Sequence, residues 1–369
     1  MINYSLYKKK YIMKIFKKIL SFFLRFFVTF LRAGQVSFNN VNADYIIWAP
    51  DFFSLRFFYA DNFQRVIFSY YYLKKSGRRA TIYTKKDIGK FTNKNIIFFN
   101  ANFYNVFSFS NYVNAHINIS DSLESQNNHI FPNSHEIRLW ENKSYMHEFF
   151  KKKLIRTPDT KIYDVNDFNS NLVDIKYPLL LKEEHSCSAL GVHKITSKKQ
   201  LDLLISDNKF YSINKKIILQ NLLNMRKDLR VILVGNEIVL NYWRINLSDE
   251  WKPTSTSYGS KVDFDNFPEQ WRNWIIQNFA KLQLRTGAFD IAWENDDLST
   301  EPYILEVSPF YQPNPRPKSK DDLENYGQWK KSARFHNSYQ LGVVNIFQNI
   351  QKKFIEEFIK TELNKLLKK

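Results

Sequence analysis

The most constraining feature of this sequence is a pair of acidic residues in two neighbouring apolar segments within residues 287–317. Asp290 lies in AFDIAW, Glu306 lies in YILEV, and the turn-rich segment NDDLSTEP connects the two. This pattern predicts two neighbouring strands joined by a hairpin connection. An acid within a strand is costly to desolvate unless a cation or a donor compensates it, so the pair indicates a divalent metal with oxygen ligands. The alternative is two strand-end acids that face water.

The length and composition predict a globular protein of two or three domains. With 369 residues, 44% of them hydrophobic, the chain can bury more than one core, and 9 Gly and 11 Pro exclude a collagen-like or disordered chain. The single cysteine, Cys187, excludes an internal disulfide framework and a cysteine-based zinc site. We therefore expect a reducing, cytoplasmic location.

The net charge of +18 is concentrated at the two ends of the chain. Residues 1–32 carry eight basic residues and no acid, and the segment from Gln351 onwards adds six Lys against three Glu, so the ends supply 11 of the 18 charges. The mildly basic body contains no recognisable nucleic-acid-binding motif, and we expect no nucleic-acid partner. Residues 331–369 are interpreted as a basic, amphipathic C-terminal helix.

Within residues 1–40, the segment 13–32 predicts a basic amphipathic helix. One stripe of this helix is polar or basic and lies opposite a face of Ile, Phe, Leu and Val; its members are Lys14, Lys18, Ser21, Arg25, Thr29 and Arg32. Arg25 would be costly in the middle of a membrane span, which favours a helix lying in the interface of an anionic membrane. The alternatives are a cleaved signal peptide and a helix packed on the body of the protein.

Residues 41–139 predict a first α/β domain. Short apolar or β-branched segments predict strands at DYIIWAP, RATIYT, KNIIFFN and AHINIS, and FQRVIFSYYYLKKSG predicts a helix that ends at Gly77. Strands that alternate with helices are typical of a parallel α/β unit. The domain contains no glycine-rich phosphate loop.

Residues 140–330 contain a second chemical pattern, a lysine at the end of an apolar strand followed by a polar loop. In KYPLLLKEEHSCSALGVHKI the strand ends at Lys182, and Ser186 and Ser188 lie in the loop. An ammonium group with hydroxyl and backbone N–H donors suits a phosphate group. The alternative is an ordinary hairpin. Further along, Asp228, Arg230 and Arg244 alternate with apolar residues in a second predicted hairpin.

The order of these segments over residues 141–317 resembles the ATP-grasp superfamily, particularly its carboxylate-amine ligases of the D-alanine ligase and ribosomal-modification types. The resemblance implies an α/β (α+β) ATP-grasp fold with an N-terminal Rossmann-like α/β domain. It also implies that Lys143 and Lys182 bind ATP phosphates, that Asp228 and Arg230 form the family's DxR element, and that an adenine-contacting segment lies between Lys182 and the DxR element. That segment is matched by Gln220, Asn221, Leu222 and Leu223.

The same resemblance implies a magnesium or manganese site that contains Asp290 and Glu306. The family has an asparagine two residues after the glutamate, whereas this sequence has Ser308. We therefore expect Ser308 to complete the metal shell directly or through water, or Asn314 to complete it instead. Many members place a carboxylate for the ribose hydroxyls after the adenine segment, whereas this chain offers none before Asp228.

The activity implied by the resemblance is an ATP- and Mg-dependent ligation of a small-molecule carboxylate to an amine, through an acyl phosphate that Arg230 or Arg244 neutralises. A cell-envelope or glycan precursor is the expected substrate class if the N-terminal helix contacts the inner face of the plasma membrane. A homodimer is a further expectation. The alternatives are a kinase or other phosphotransferase on the same fold, and a degenerate nucleotide-binding module without catalysis.

Overall fold

The computed structural model describes residues 20, 23–54, 62–99, 109–140, 142–170, 174–186, 189, 191–206, 215–248, 250–311, 313 and 339–366. The helices are residues 23–33 (α1), Asn62–Lys75 (α2), Phe109–Ser125 (α3), Ser134–Arg138 (α4), Lys143–Lys152 (α5), Lys198–Ile205 (α6), Arg272–Lys281 (α7) and Tyr339–Leu366 (α8). The strands are Tyr45–Trp48 (β1), Ala80–Tyr83 (β2), Asn95–Phe98 (β3), His129–Phe131 (β4), Thr160–Asp164 (β5), Leu179–Lys182 (β6), Val192–Ile195 (β7), Lys216–Asn221 (β8), Lys227–Val234 (β9), Glu237–Ile245 (β10), Lys261–Asp263 (β11), Thr286–Ala292 (β12) and Tyr303–Ser308 (β13).

The chain divides into two compact units. The first contains the described residues of Met1–Asn105, Ser125–Phe131 and Ala333–Lys369, and the second contains those of Val106–Glu124 and Pro132–Ser332. The chain therefore enters the second unit, returns for β4, and comes back to the first unit with α8.

The first unit is built on a parallel sheet with strand order β2-β1-β3-β4. The central strands are fully buried at Ile46, Ile47 and Ile97, as expected for a parallel sheet with covered faces. Helix α2 ends two residues before Gly77, which has the positive φ of +74° that glycine adopts readily. The predicted α/β class is confirmed.

The prediction of a strand at AHINIS is wrong, because these residues lie within helix α3. The buried positions of this helix include Val113, His116, Ile117 and Ser120, a spacing of three, four and seven residues. That spacing places all four side chains on one helical face. The short alternation of apolar and polar residues in AHINIS fits either element when it is read alone.

The second unit contains two antiparallel sheets. The smaller has strand order β5-β8-β6-β7, and the larger has strand order β11-β10-β9-β12-β13. The predicted hairpin at residues 287–317 is confirmed as β12 and β13, in which Asp290 is the cross-strand neighbour of Glu306. The register shifts immediately after Asp290, so a bulge follows this pair.

One face of the larger sheet packs against helices α5 and α7. Its core includes Leu229, Val231, Phe289 and Val307 from the strands and Phe150 from α5, all buried. Because successive side chains of a strand point to opposite faces, the residues between these apolar ones lie on the other face. The smaller sheet has its own core, which includes contributions from α6.

Candidate functional site

The face of the larger sheet opposite its core carries a row of charged side chains. Glu306, Asp290 and Arg230 are cross-strand neighbours in the consecutive strands β13, β12 and β9, and Tyr242 of β10 follows Arg230 in register. Asp290 is buried at 6% exposure, although it is ionisable. Desolvation of a buried carboxylate is costly, so neighbouring groups must compensate its negative charge.

Two arginines provide that compensation to Asp290. The Arg230 guanidinium donates from Nε to Oδ1 over 2.8 Å and from an amino nitrogen to Oδ2 over 3.0 Å. Arg244 lies 2.9 Å from the same Oδ2. Burial opposes the charge on Asp290, but Arg230 and Arg244 outweigh this effect and hold the pKa of the carboxyl below its usual range. Asp290 is therefore an anion with both oxygens engaged.

Arg244 has a second partner, Asp228, on the neighbouring strand. Its Nε donates to Asp228 Oδ1 over 2.8 Å, and one amino group donates to Oδ2. Thr254, from the loop after β10, donates its hydroxyl to Asp228 Oδ2 over 2.7 Å. Asp228 is 1% exposed, so its role in the structure is to hold Arg244. Arg230 is the more accessible arginine, with 21% of its side chain exposed against 10% for Arg244.

Lys182, at the end of β6 in the smaller sheet, is the second element of the site. Its side chain is buried, and burial lowers the pKa of the ammonium to about 8. The charges of Glu306 and Asp290 act in the opposite direction, and that of Lys143 adds to the effect of burial. Lys182 is therefore close enough to the acids of the larger sheet to interact with them electrostatically.

Lys143 begins helix α5 and is bound to the polar loop that follows Lys182. Its Nζ donates to the Ser186 carbonyl oxygen over 2.5 Å and to Ser186 Oγ over 3.0 Å. Its backbone N–H donates to the Glu184 carbonyl oxygen over 3.0 Å, and Ser144 Oγ donates to the Glu184 carboxylate. Since α5 is anchored in the core of the larger sheet by Phe150, it connects the loop to that sheet.

The loop closes on itself at Gly191, whose carbonyl oxygen accepts from the Glu183 N–H over 2.8 Å. Gly191 has φ +71°, and a Cβ atom there would lie 2.7 Å from Glu183 Cδ. Only glycine fits this position without strain. Among the predicted phosphate ligands, Lys143, Lys182 and Ser186 are thus brought together, whereas Ser188 lies outside the described residues.

The predicted adenine segment connects β8 of the smaller sheet to β9 of the larger one. Gln220 is buried and donates to Thr160 Oγ1 over 2.8 Å, Asn221 is exposed, Leu222 is half-buried and Leu223 is buried. Its contact with a nucleotide base stays a prediction.

The predicted metal ligands are only partly assembled. Within the described part of the chain, no group of three or more His, Cys, Asp and Glu side chains is placed to hold a metal ion. Ser308 is buried and donates to the Phe310 carbonyl oxygen, and Asn314 lies outside the described residues. Glu306 makes no side-chain hydrogen bond or ion pair with the other described residues. Mg²⁺ is usually held by one or two carboxylates together with phosphate oxygens and water. The carboxylate of Glu306 therefore fits a magnesium ion that arrives bound to the phosphates.

His147 is a site residue that the sequence interpretation missed. It lies one helical turn after Lys143 and is buried, and neither ring nitrogen has a hydrogen-bond partner among the described residues. Burial lowers its pKa well below the usual value, and Lys182 and Lys143 add to this effect. The spacing of four residues from Lys143 is the signal that could have identified it. No local signal points to Thr254.

Comparison with known proteins shows which domain this geometry is similar to. Residues 140–310 match the RimK-like ATP-grasp domain. These residues form an ATP-grasp domain. The ATP-grasp domain thus contains the charged row of the larger sheet, Lys143, and the loop after Lys182. No curated protein sequence matches the chain significantly.

Solved structures share the fold beyond the ATP-grasp domain. D-alanine–D-alanine ligase from Bacillus anthracis is 13% identical, with 86% of this chain and 99% of that chain covered and a TM-score of 0.52. The same ligase complexed with ATP is 12% identical, with 87% and 99% covered and a TM-score of 0.51. D-cycloserine synthetase DcsG is 11% identical, with 84% and 100% covered and a TM-score of 0.52. At identities of 11–13% the likeness establishes the fold alone.

Proposed function

We propose that the protein is an ATP- and magnesium-dependent ligase that activates a carboxylate as an acyl phosphate and joins it to an amine. The observation that carries the proposal is the pair of buried lysines, Lys143 and Lys182, which lie within electrostatic reach of each other in an ATP-grasp domain. Buried ammonium groups without a carboxylate bound to them are suited to an incoming polyanion. The ligases named among the similar folds support an amide-forming reaction.

In the first proposed step, a carboxylate oxygen of the substrate attacks the γ-phosphorus of ATP and ADP leaves. Lys182 contributes a positive charge to the phosphates, and Lys143 contributes a second one if its bonds to Ser186 exchange for phosphate oxygens. Lys143 otherwise positions the loop. Both charges oppose the repulsion between the attacking carboxylate and the triphosphate.

In the second step, the amine attacks the acyl carbon, phosphate leaves, and the nitrogen loses a proton to water. Arg230 is the candidate for neutralising the acyl phosphate, because it is more exposed than Arg244. Arg244, bound between Asp228 and Asp290, keeps Arg230 and Asp290 in place. Both arginines thus belong to the proposed site with different roles.

Magnesium, or manganese in its place, would be held by Glu306, with Asp290 as its neighbour across the hairpin and Ser308 or Asn314 completing the shell. When bound, the ion reduces the negative charge on the phosphates. Asp290 can join the shell only if one of its oxygens exchanges an arginine for the metal.

That requirement favours a second candidate function, a nucleotide-binding module without catalysis. Both Asp290 oxygens are committed to guanidinium groups, and Ser308 replaces the asparagine of the family motif. In such a module the arginine network would be structural. The two candidates differ in whether ADP is formed.

The remaining parts of the proposal concern substrate and location. We propose small-molecule carboxylate and amine substrates, a cell-envelope or glycan precursor among them, a cytoplasmic location at the inner face of the plasma membrane, and a homodimer. The membrane contact has its own structural argument below.

The test uses hydroxylamine as a general amine, because it traps acyl phosphates as hydroxamates. Pools of carboxylates are incubated with ATP, Mg²⁺ and hydroxylamine, and hydroxamate and ADP are measured. We expect both products with the wild type and neither with Glu306→Gln at unchanged thermal stability. Glu301→Gln, at an exposed surface glutamate after the same hairpin turn, is the matched control and should keep both products.

Two outcomes would contradict the ligase, and a third would contradict the metal site. A phosphate ester without hydroxamate identifies a phosphotransferase. Nucleotide binding without ADP formation supports the non-catalytic module. Unchanged turnover in Glu306→Gln removes that residue from the metal site. A carboxylate labelled with ¹⁸O gives a further criterion, because the acyl phosphate route transfers one labelled oxygen to the released phosphate.

A further inference from the structure

Helix α1 packs on the first unit through its polar side. Thr29 is fully buried, and Arg32 donates to Asn345 Oδ1 over 2.6 Å and to Gln348 Oε1 over 2.7 Å, both on helix α8. Phe26, on the same side, has its ring 6.0 Å from that of Phe63 in α2. These contacts fix the rotation of the helix about its axis. Thr29 and Arg32 of the polar stripe therefore face the first unit.

The opposite side of the helix exposes large apolar side chains. Phe27 is 62% exposed, Leu31 66% and Leu24 41%, and Leu20, which is also helical, is 60% exposed. Their spacing of four, three and four residues places them in one stripe. Together they offer roughly 400 Å² of apolar surface, a size at which patches on soluble proteins are often functional.

A helix on a protein surface in water normally packs its apolar side on the protein and exposes its polar side, whereas α1 does the reverse. We therefore expect another surface to cover the exposed apolar stripe. Of the 13 large apolar side chains exposed among the described residues, five belong to the segment from Leu20 to Leu31. No helix in the described ranges is long and apolar enough to span a membrane.

The charge around the stripe identifies the covering surface. The first acidic residue of the chain is Asp44, and eight Lys and Arg residues precede it. Lys17 and Lys18 precede Leu20 by three and two residues, so their Cα atoms lie within about 11 Å of it in any conformation. A second copy of the chain would bring an equal positive charge to the same place, where the two would repel each other. An apolar stripe bordered by basic residues suits anionic lipid headgroups above acyl chains.

We infer that helix α1 attaches the protein to an anionic membrane surface, with Leu20, Leu24, Phe27 and Leu31 inserted at the headgroup boundary and its polar side bound to the first unit. The attachment is peripheral, and the helix lies along the interface. It does not depend on the proposed ligase activity, because every residue that carries it belongs to the first unit.

The test is flotation of the full chain with vesicles of phosphatidylcholine and phosphatidylglycerol, compared with vesicles of phosphatidylcholine alone. We expect binding to the anionic vesicles that weakens with added NaCl, and a loss of roughly tenfold or more in Phe27→Gln/Leu31→Gln. Leu203→Gln/Leu247→Gln is the matched control, because both leucines are similarly exposed on the second unit. Lys17→Gln/Lys18→Gln should weaken binding to anionic vesicles only.

Substitutions are preferable to deletion of the segment, because Arg32 and Thr29 stabilise its contact with the unit. Thermal melting verifies that each variant is folded. Equal vesicle binding by wild type and Phe27→Gln/Leu31→Gln would overturn the inference. Absence of vesicle binding, together with a dimer in sedimentation that the same variant abolishes, would also overturn it and would assign the stripe to a second copy of the chain.

Discussion

Binding of Mg-ATP should weaken steeply above about pH 8, because Lys182 must be protonated to meet a phosphate. Burial lowers the pKa of this lysine to about 8 in the free protein. A bound polyanion stabilises the ammonium and raises its pKa again. Binding of Mg-ATP is therefore coupled to proton uptake. The uptake becomes appreciable at the pH at which Lys182 of the free protein begins to lose its proton.

The magnitude follows from the pKa of the free protein. At about pH 7 roughly nine-tenths of Lys182 is already protonated, so protonation of this lysine lowers the binding free energy only slightly. At about pH 9 only about one-tenth is protonated, which weakens binding by about tenfold, or about 1.4 kcal/mol. At about pH 8 each binding event should take up roughly half a proton.

Titration calorimetry at three pH values, in buffers of different ionisation enthalpy, measures both the affinity and the proton uptake. Lys182→Arg is the control, because arginine stays charged throughout this range. We expect its affinity for Mg-ATP to be independent of pH between about pH 7 and about pH 9, even if it is weaker overall. If the affinity of the wild type for Mg-ATP did not depend on pH, or if the same pH dependence persisted in Lys182→Arg, the role of this lysine would be refuted.

Three further substitutions test the scaffold of the site. Gly191→Ala should lower stability by about 1–3 kcal/mol in denaturant unfolding, because its Cβ would lie 2.7 Å from a Glu183 side-chain atom at φ +71°. Glu136→Gln should cost about 3–5 kcal/mol, because it removes the negative charge that Glu136 holds against the buried Arg285 guanidinium; a loss below about 1 kcal/mol would contradict this. His147→Leu should raise the melting temperature of the free protein, because it removes two buried unpaired nitrogens, and should weaken Mg-ATP binding if they receive the nucleotide; a lower melting temperature with unchanged affinity would exclude both effects.

Local pattern was sufficient for the elements with strong periodicity. The acid pair of Asp290 and Glu306 was predictable because two apolar segments around a turn form a β-hairpin. In the structure the two acids are cross-strand neighbours. Lys182 was predictable as the end of an apolar strand. The AHINIS segment was misread because six residues carry too little periodicity to separate a helix from a strand.

The pairing of charges was beyond the sequence, because it depends on register. Alternation placed Asp228 and Arg230 on one face, but only the alignment of β9, β10 and β12 shows that Arg230 and Arg244 share Asp290. Thr254 reaches Asp228 from a loop 26 residues away. The orientation of α1 was equally hidden, since periodicity defines two helical faces without showing which one meets the protein.

The most direct test of the central claim is a titration of ATP into wild type and Glu306→Gln, each with and without Mg²⁺. We expect that wild type binds one nucleotide, that Mg²⁺ strengthens this binding, and that Glu306→Gln binds the nucleotide without gaining affinity from Mg²⁺. Lys182→Met in the same experiment should lose the nucleotide. The same Mg²⁺-dependent affinity in all three proteins would contradict the claim that the charged face of the ATP-grasp domain is the site.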